Sequence, residues 1–168
     1  VAVFGDGGNE AITRQMGRPL RYTPCEVDGF AARARPLLAI AEEALAPVQV
    51  APQAGFTRYI KREPIGVVLT IAPWNYPLLT AVNSIVPALL AGNTVILKHS
   101  EQTPLCAELM HRAFAEAGLP QGVFQFVHAS HEMTQRLITA SEVGYVSFTG
   151  SVDGAFALTR LPAFCATE

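Results

Sequence analysis

The segment Ile-Gly-Val-Val-Leu-Thr-Ile at positions 65–71 is a continuous apolar run that is rich in β-branched residues. Such a run is typical of a strand that is buried on both faces of a parallel sheet. Four strands separated by three helices predict right-handed βαβ units with helices on both faces of the sheet. The fold class is therefore predicted to be α/β, a partial doubly wound parallel sheet. The elements that follow the first strand are predicted at 78–90, 94–98, 104–117, 123–127, 132–139 and 143–148.

Helical patterns precede this unit. A short helix is predicted at 9–17, and a long amphipathic helix at 24–45. Thr23 and Glu26 match a capping box at the start of the long helix, with a proline at its first position. Pro36 in its interior predicts a kink or a break. A Pro- and Gly-containing connector and an edge strand are predicted next, at 47–55 and 56–61.

The composition fits one globular domain that shares part of its surface. Half of the 168 residues are apolar and 15% are charged, which excludes an intrinsically disordered chain. A free-standing small domain carries about 25% charged residues. We therefore expect contact with a protein partner or assembly into a homo-oligomer. The formal net charge of −2, without a run of like charges, gives no basis for binding nucleic acid or an anionic membrane.

The residue pattern also argues against several other classes of protein. Residues 65–97 contain no charged side chain, but prolines, asparagines and a glycine interrupt them too often for a membrane span. The chain begins without a basic segment followed by an apolar core, so we expect no secretion signal. Three cysteines without a Cys-x-x-Cys pair favour a reducing compartment, and the cytoplasm is the expected location. The four histidines lack the spacing of metal ligands, so no metal is expected.

Ligands of doubly wound sheets bind beyond the carboxyl ends of the strands. Lys98 and Glu101 follow the second parallel strand, where an adenine ribose would lie, and Glu101 would repel a 2′-phosphate. The turn at 150–154 places backbone N–H groups at the start of a helix, where a phosphate could bind. Asn75 could direct its amide at a developing oxyanion. Each feature also has a purely structural interpretation: an exposed ion pair, an ordinary strand-to-helix turn, and a turn amide.

Four motifs in the same order and spacing extend this pattern. They are Ile71-Ala72-Pro73-Trp74-Asn75-Tyr76-Pro77, Pro87-Ala88-Leu89-Leu90-Ala91-Gly92-Asn93-Thr94-Val95-Ile96-Leu97-Lys98, Ser100-Glu101-Gln102-Thr103-Pro104 and Phe148-Thr149-Gly150-Ser151. Together they resemble the aldehyde dehydrogenase superfamily, from about residue 9 to about residue 154. The resemblance implies a Rossmann-like cofactor-binding domain and NAD(P)-dependent oxidation of a small-molecule aldehyde to a carboxylic acid.

The resemblance also implies roles for individual residues. Asn75 matches the oxyanion-hole amide, which is the catalytic residue expected in this chain. NAD is the cofactor implied, with NADP as the alternative, because relatives with a glutamate at the position of Glu101 commonly favour NAD. The implied cofactor-binding residues are Ile71, Ala72, Pro73, Trp74, Lys98, Ser100, Glu101, Gly150 and Ser151.

The sequence departs from the family after Gly154. Neither the glutamate base in a Glu-Leu-Gly-Gly segment nor the nucleophilic cysteine motif of the family is present, and the neighbours of Cys165 do not match that motif. Cys106 lies on an apolar helix stripe and is expected in the core. We therefore expect a fragment of an aldehyde dehydrogenase that is inactive alone. The alternative is a non-catalytic nucleotide-binding or interaction module that docks on a full-length relative. The expected divisions are a helical segment and connector at 1–55, the cofactor-binding half at 56–154 and a divergent tail at 155–168.

Overall fold

The computed structural model describes residues 5–159, and its centre is a four-stranded parallel sheet. The strands are β3 (Val67–Ala72), β4 (Thr94–His99), β5 (Phe124–Val127) and β6 (Val143–Phe148), and their spatial order is β5-β4-β3-β6. The helices are α1 (Gly5–Met16), α2 (Pro24–Leu45), α3 (Pro77–Leu90), α4 (Pro104–Glu116), α5 (His131–Ile138) and α6 (Val152–Thr159). The α/β fold with a parallel sheet is therefore confirmed. Of the predicted tail at 155–168, residues 155–159 belong to α6, and residues 160–168, which include Cys165, lie outside the described residues.

Helices cover both faces of this sheet. On one face, side chains from α1, α3 and α4, such as Ile12, Ile85 and Met110, pack against Val68 and Leu97 of the strands. On the other face, Ile138 of α5 and Leu158 of α6 pack against Leu69 and Ile71 of β3. Alternate residues of β3 thus face opposite cores, as expected for a strand buried on both sides.

The direction of strand addition reverses beside β3. The chain adds β4 and then β5 on one side of β3 and returns to place β6 on the other side. Ile71 pairs with Lys98 of β4 and with Phe148 of β6, so the carboxyl ends of these strands lie at one edge. This is the topological switch point, where doubly wound sheets form a binding crevice.

The N-terminal helices correct two local predictions. Helix α2 continues through Pro36, so the predicted break is absent. Pro36 is exposed, and the backbone groups freed there can bind water. The prediction of a capping box at the start of α2 is wrong. The Thr23 hydroxyl donates to the Leu20 carbonyl, and Glu26 does not cap its own helix.

The region after the middle of α2 packs less than its sequence pattern indicates. Only Glu26, Val27 and Ala31 of α2 are buried, and Leu38 and Ile40 are more than half exposed. The predicted connector contains β1 (Val48–Gln49), which pairs antiparallel with β2 (Tyr59–Ile60). The edge strand predicted at 56–61 is therefore shortened to two residues and belongs to a separate two-stranded sheet.

Candidate functional site

A cavity of about 530 Å³ opens at the carboxyl edge of the sheet. It lies between the loops after β3, β4 and β6 and the helices α5 and α6. All of the predicted cofactor-binding residues except Glu101 line it, together with Asn75. The structure therefore brings together residues that are up to 80 positions apart in the sequence. Those lining residues are Ile71, Ala72, Pro73, Trp74, Lys98, Ser100, Gly150 and Ser151.

Backbone hydrogen bonds fix the floor of the cavity. The amide of Thr149 donates to the carbonyl of Ile71 at 3.0 Å, and the amide of Ser100 donates to the carbonyl of Ala72 at 3.0 Å. The end of β3 is thus bonded to the loops that follow both neighbouring strands. Trp74, the only tryptophan of the chain, comes after this bonded segment and is 47% exposed.

Lys98 is a buried cation in the wall of the cavity. Its residue is 5% exposed. Burial lowers the pKa of Lys98, and the nearby negative charge of Glu101 opposes that shift. Within the described part of the chain, no carboxylate lies within ion-pair distance of the Lys98 ammonium and no hydrogen bond engages it. A buried ammonium without such a partner favours a polar or anionic ligand.

Glu101 lies outside the first cavity and lines a second one. This second cavity has a volume of about 470 Å³ and is also lined by Ser100, Glu108 and His128. Nε2 of His128 lies 2.9 Å from Oε1 of Glu108 across its rim. Ser100 lines both cavities, so the two spaces adjoin at the end of β4. Lys98 therefore lines the first cavity and Glu101 lines the second, adjoining one.

Close packing against the Phe148 ring requires glycine at two positions of the turn after β6. A Cβ atom at Gly150 would lie 2.6 Å from Cζ of Phe148, and one at Gly154 would lie 2.9 Å from the same atom. The hydroxyl of Ser151 accepts a hydrogen bond from the Gly154 amide at 3.1 Å. The two glycines therefore admit the Phe148 ring beneath the turn, and Ser151 tightens the first turn of α6.

His99 joins the end of β4 to the start of α3. The Ser100 amide donates to Nδ1 of His99 at 3.0 Å, and the Thr103 hydroxyl lies 3.0 Å from the same nitrogen. Since a backbone amide can only donate, Nδ1 is unprotonated and Nε2 carries the proton that it shares with the Pro77 carbonyl, 3.0 Å away. Burial lowers the pKa of His99 to about 4, so the ring is neutral near pH 7.

Two residues far from the cavity motifs hold the loop that contains Asn75. Nη2 of Arg18 donates to the Asn75 carbonyl at 3.0 Å, and Nη1 of Arg18 contacts Oε1 of Glu26 at 2.6 Å. Oε2 of Glu26 accepts the amides of Leu78 and Leu79, at 3.1 Å each. Burial alone would lower the pKa of Arg18, but the hydrogen bond and charge of Glu26 outweigh it and raise that pKa. Glu26 therefore caps α3 instead of its own helix.

Sequence reasoning missed the part of the cavity that α5 and α6 supply. His131, Thr134 and Gln135 of α5 line it, as do Ala157 and Leu158 of α6. Polar residues directly after the predicted loop at 128–130 were the available signal for α5. No comparable signal marks Ala157 and Leu158, because small and apolar residues are equally suited to a helix core.

The two described cysteines lie away from the cavity. Cys106 is fully buried in the core, as predicted, and burial raises the pKa of its thiol to about 12. Cys25 is exposed, and its thiol donates to the Tyr22 carbonyl at 2.7 Å. Among residues 5–159, no group of three or more His, Cys, Asp or Glu side chains could hold a metal ion. Over the same range, no helix has both the length and the apolar character to span a bilayer.

Comparisons with known proteins agree with this architecture. The model of the aldehyde dehydrogenase family matches residues 8–161. The succinate semialdehyde dehydrogenase (NAD(P)+) Sad of Escherichia coli (strain K12) is 35% identical over 155 residues, which cover 89% of this chain and 32% of that protein. The chain spans about a third of the length of the curated relatives that it matches.

Solved structures give the same result. A succinic semialdehyde dehydrogenase from Streptococcus pyogenes in complex with NADP+ superposes with a TM-score of 0.84 and 27% identity, over 92% of this chain and 34% of that one. PnpE in complex with nicotinamide adenine dinucleotide superposes with a TM-score of 0.84 and 33% identity, over 91% of this chain and 32% of that one.

Proposed function

This chain belongs to the aldehyde dehydrogenase family, and on that premise we propose that it binds a nicotinamide dinucleotide, as the cofactor-binding part of an enzyme that oxidises a small-molecule aldehyde to a carboxylic acid. The proposal rests on one observation above all. Three loops that are distant in the sequence converge on a single cavity at the switch point of the sheet, and a buried ammonium lines that cavity. Similar structures bind NADP+ and NAD, which supports this assignment.

The described residues fit such a cofactor. Two adjoining cavities of about 530 and 470 Å³ fall in the size range of small-molecule sites, about 300–1,000 Å³. Lys98, which has no partner within the described residues, can donate to ribose hydroxyls, and Glu101 can accept from them. Because Glu101 is a carboxylate, it disfavours a 2′-phosphate, so we propose NAD as the preferred cofactor and NADP as the weaker one.

The remaining residues have simpler proposed roles. The backbone at Gly150 and Ser151 lies at the start of α6, where N–H groups can bind the pyrophosphate. The side chains and backbone of 71–74 form the wall, and Ser100 lies where the two cavities meet. The chemistry that NAD(P) supplies when bound is acceptance of a hydride.

Asn75 is the residue that we propose to contact the reacting atoms. It lines the cavity, and its side-chain amide can donate to the oxyanion that develops on the carbonyl oxygen of the aldehyde. A donor in that position contributes about 3 kcal/mol to transition-state stabilisation. Neither Cys25 nor Cys106 lines the cavity, so neither can serve as the nucleophile there. The neighbours of Cys165 do not match the nucleophile motif of the family, so we propose that the 168-residue chain produces no NADH from an aldehyde by itself.

We also propose that this chain contacts another protein. The same contact is expected of the alternative function, a non-catalytic module that docks on a full-length relative. Apolar side chains of α2 and of the sheet β1–β2 are exposed, among them Leu38, Ile40 and Ile60. Exposed apolar side chains of this kind favour association. We propose that a partner or a second copy covers it, in the cytoplasm, where the exposed thiol of Cys25 would stay reduced.

Thermal unfolding with and without millimolar NAD tests the cofactor proposal. A ligand present at a hundred times its Kd stabilises the folded state by about 2.7 kcal/mol, which raises the midpoint by several degrees. Lys98→Met should reduce this shift. The matched control Lys61→Met removes an exposed lysine that pairs with Glu63, and it should leave the shift unchanged. A cooperative transition that NAD does not move would overturn the proposal.

A further inference from the structure

We propose that the ion pair between Arg18 and Glu26 is a clamp that positions Asn75, because it holds the backbone carbonyl of Asn75 and the first amides of α3, and Asn75 lines the cavity. The inference rests on the proposed role of Asn75. Arg18 and Glu26 are positioning residues, since neither lines the cavity.

Both carboxylate oxygens of Glu26 take part in this clamp. Its side chain is fully buried, and its carboxylate contacts Arg18 and the amides of Leu78 and Leu79. Tyr76, at the cap position of α3, contributes no side-chain hydrogen bond to the helix. A buried carboxylate is costly unless it is paired and hydrogen-bonded. A residue more than fifty positions away in the sequence thus supplies the missing cap of α3.

Arg18 carries the clamp from Glu26 to Asn75. Its side chain is 14% exposed, and its two terminal nitrogens bond different groups: Nη1 the carboxylate of Glu26, and Nη2 the carbonyl of Asn75. Its guanidinium carbon also lies 4.9 Å from the centre of the Tyr76 ring. Because the guanidinium is planar and rigid, fixing one nitrogen on Glu26 fixes the position of the other.

The clamp occupies the first amides of α3 and leaves the Asn75 side-chain amide unoccupied. The amides of Leu78 and Leu79 are occupied by Glu26, so they are not available to a substrate oxygen. Within the described residues, nothing hydrogen-bonds the Asn75 side-chain amide. The Asn75 side-chain amide is therefore free to donate to a ligand in the cavity that Asn75 lines, and Arg18 and Glu26 hold the backbone that carries it.

The Arg18→Lys variant distinguishes a role of Arg18 in positioning Asn75 from a role in fold stability alone. Arg18→Lys keeps a positive charge beside Glu26, but a single ammonium cannot span the two acceptors that the guanidinium bridges. We expect its melting midpoint to stay close to that of the wild type. We also expect the backbone order parameter of Asn75, from ¹⁵N relaxation of the full chain, to fall from about 0.85 to below about 0.6. The control Arg14→Met breaks the exposed pair with Glu10 and should change neither quantity.

Glu26→Gln provides a second test if the lysine variant does not fold. The glutamine keeps an acceptor for the α3 amides and loses the charge that fixes Arg18, so the order parameter of Asn75 should again fall. An Asn75 order parameter that stays at the wild-type value in the folded variants, or a wild-type value already below about 0.6, overturns the inference. The measurements are made without NAD. A wild-type chain whose midpoint NAD does not shift overturns the proposed function instead, so the two failures are distinguishable.

Discussion

The buried imidazole of His99 should make the stability of this protein fall as the pH is lowered through mildly acidic values. In the folded chain the pKa of His99 is about 4, mainly because of burial, whereas its ordinary value is 6.5. The unfolded chain therefore binds a proton in a range where the folded chain does not. Stability from this group is fully present above pH 6.5, and it is lost progressively as the pH falls from 6.5 to about 4.

The size of the effect follows from the two pKa values. A tenfold difference in proton affinity is worth about 1.4 kcal/mol, so the change from 6.5 to about 4 corresponds to about 3 kcal/mol in total. About 2 kcal/mol of it should be lost between pH 8 and pH 5. His99 is 3% exposed, so solvent screening reduces this figure little.

Urea unfolding at several pH values measures the effect directly. His99→Gln keeps an amide that can donate to Pro77 and removes the titration. Between pH 8 and pH 5, the wild type should lose about 2 kcal/mol more free energy of unfolding than the variant does. His131→Gln, which removes an exposed histidine, should retain the wild-type pH dependence. Parallel curves for the wild type and His99→Gln would refute this account of His99.

Two further predictions concern the turn after β6 and the loops that precede β3 and β4. Gly150→Ala should destabilise the fold by about 1–3 kcal/mol, because its Cβ would overlap the Phe148 ring, and the loss should shrink in a Phe148→Leu background; equal losses in both backgrounds would contradict this cause. Asn93→Ala should cost about 2–4 kcal/mol in denaturant unfolding, since the buried Asn93 amide accepts from the amides of Ile65 and Gly66 at 2.6 and 3.0 Å and donates to the Ala88 carbonyl at 3.1 Å. The control is the exposed Asn83, whose side chain donates to the Leu79 carbonyl, and Asn83→Ala should cost less than about 0.5 kcal/mol. Similar losses for Asn93→Ala and Asn83→Ala would show that the Asn93 hydrogen bonds are not what stabilises the start of β3.

The strands and the edge of the sheet where they end follow from the sequence. A run such as 65–71 favours a buried strand, because its β-branched residues disfavour a helix and burial of its apolar side chains is favourable. Once parallel strands alternate with helices, the carboxyl ends must meet at one edge. The grouping of Asn75, Lys98 and Gly150 around one cavity is therefore visible before any coordinates are known.

Local spacing misleads where a side chain has several partners within reach. Thr23 and Glu26 have the spacing of a capping box, yet Glu26 is turned toward Arg18 and the start of α3. The ring of His99 bonds three groups in the fold that its sequence neighbours do not predict. Both outcomes depend on packing α3 against α2 and β4, which brings acceptors and amides together that no short motif relates.

The sequence by itself determined the α/β class, the strand and helix order, and the edge at which a ligand would bind, because these depend on periodicity and on the handedness of parallel crossovers. Only the tertiary structure decided that Glu101 faces a second cavity, that α5 and α6 close the first one, and that a buried ion pair from the N-terminal segment holds the Asn75 loop. The physical reason is competition among partners. A buried carboxylate or imidazole bonds the groups that the packed elements bring within about 3 Å, and some of those groups are far from it in the sequence.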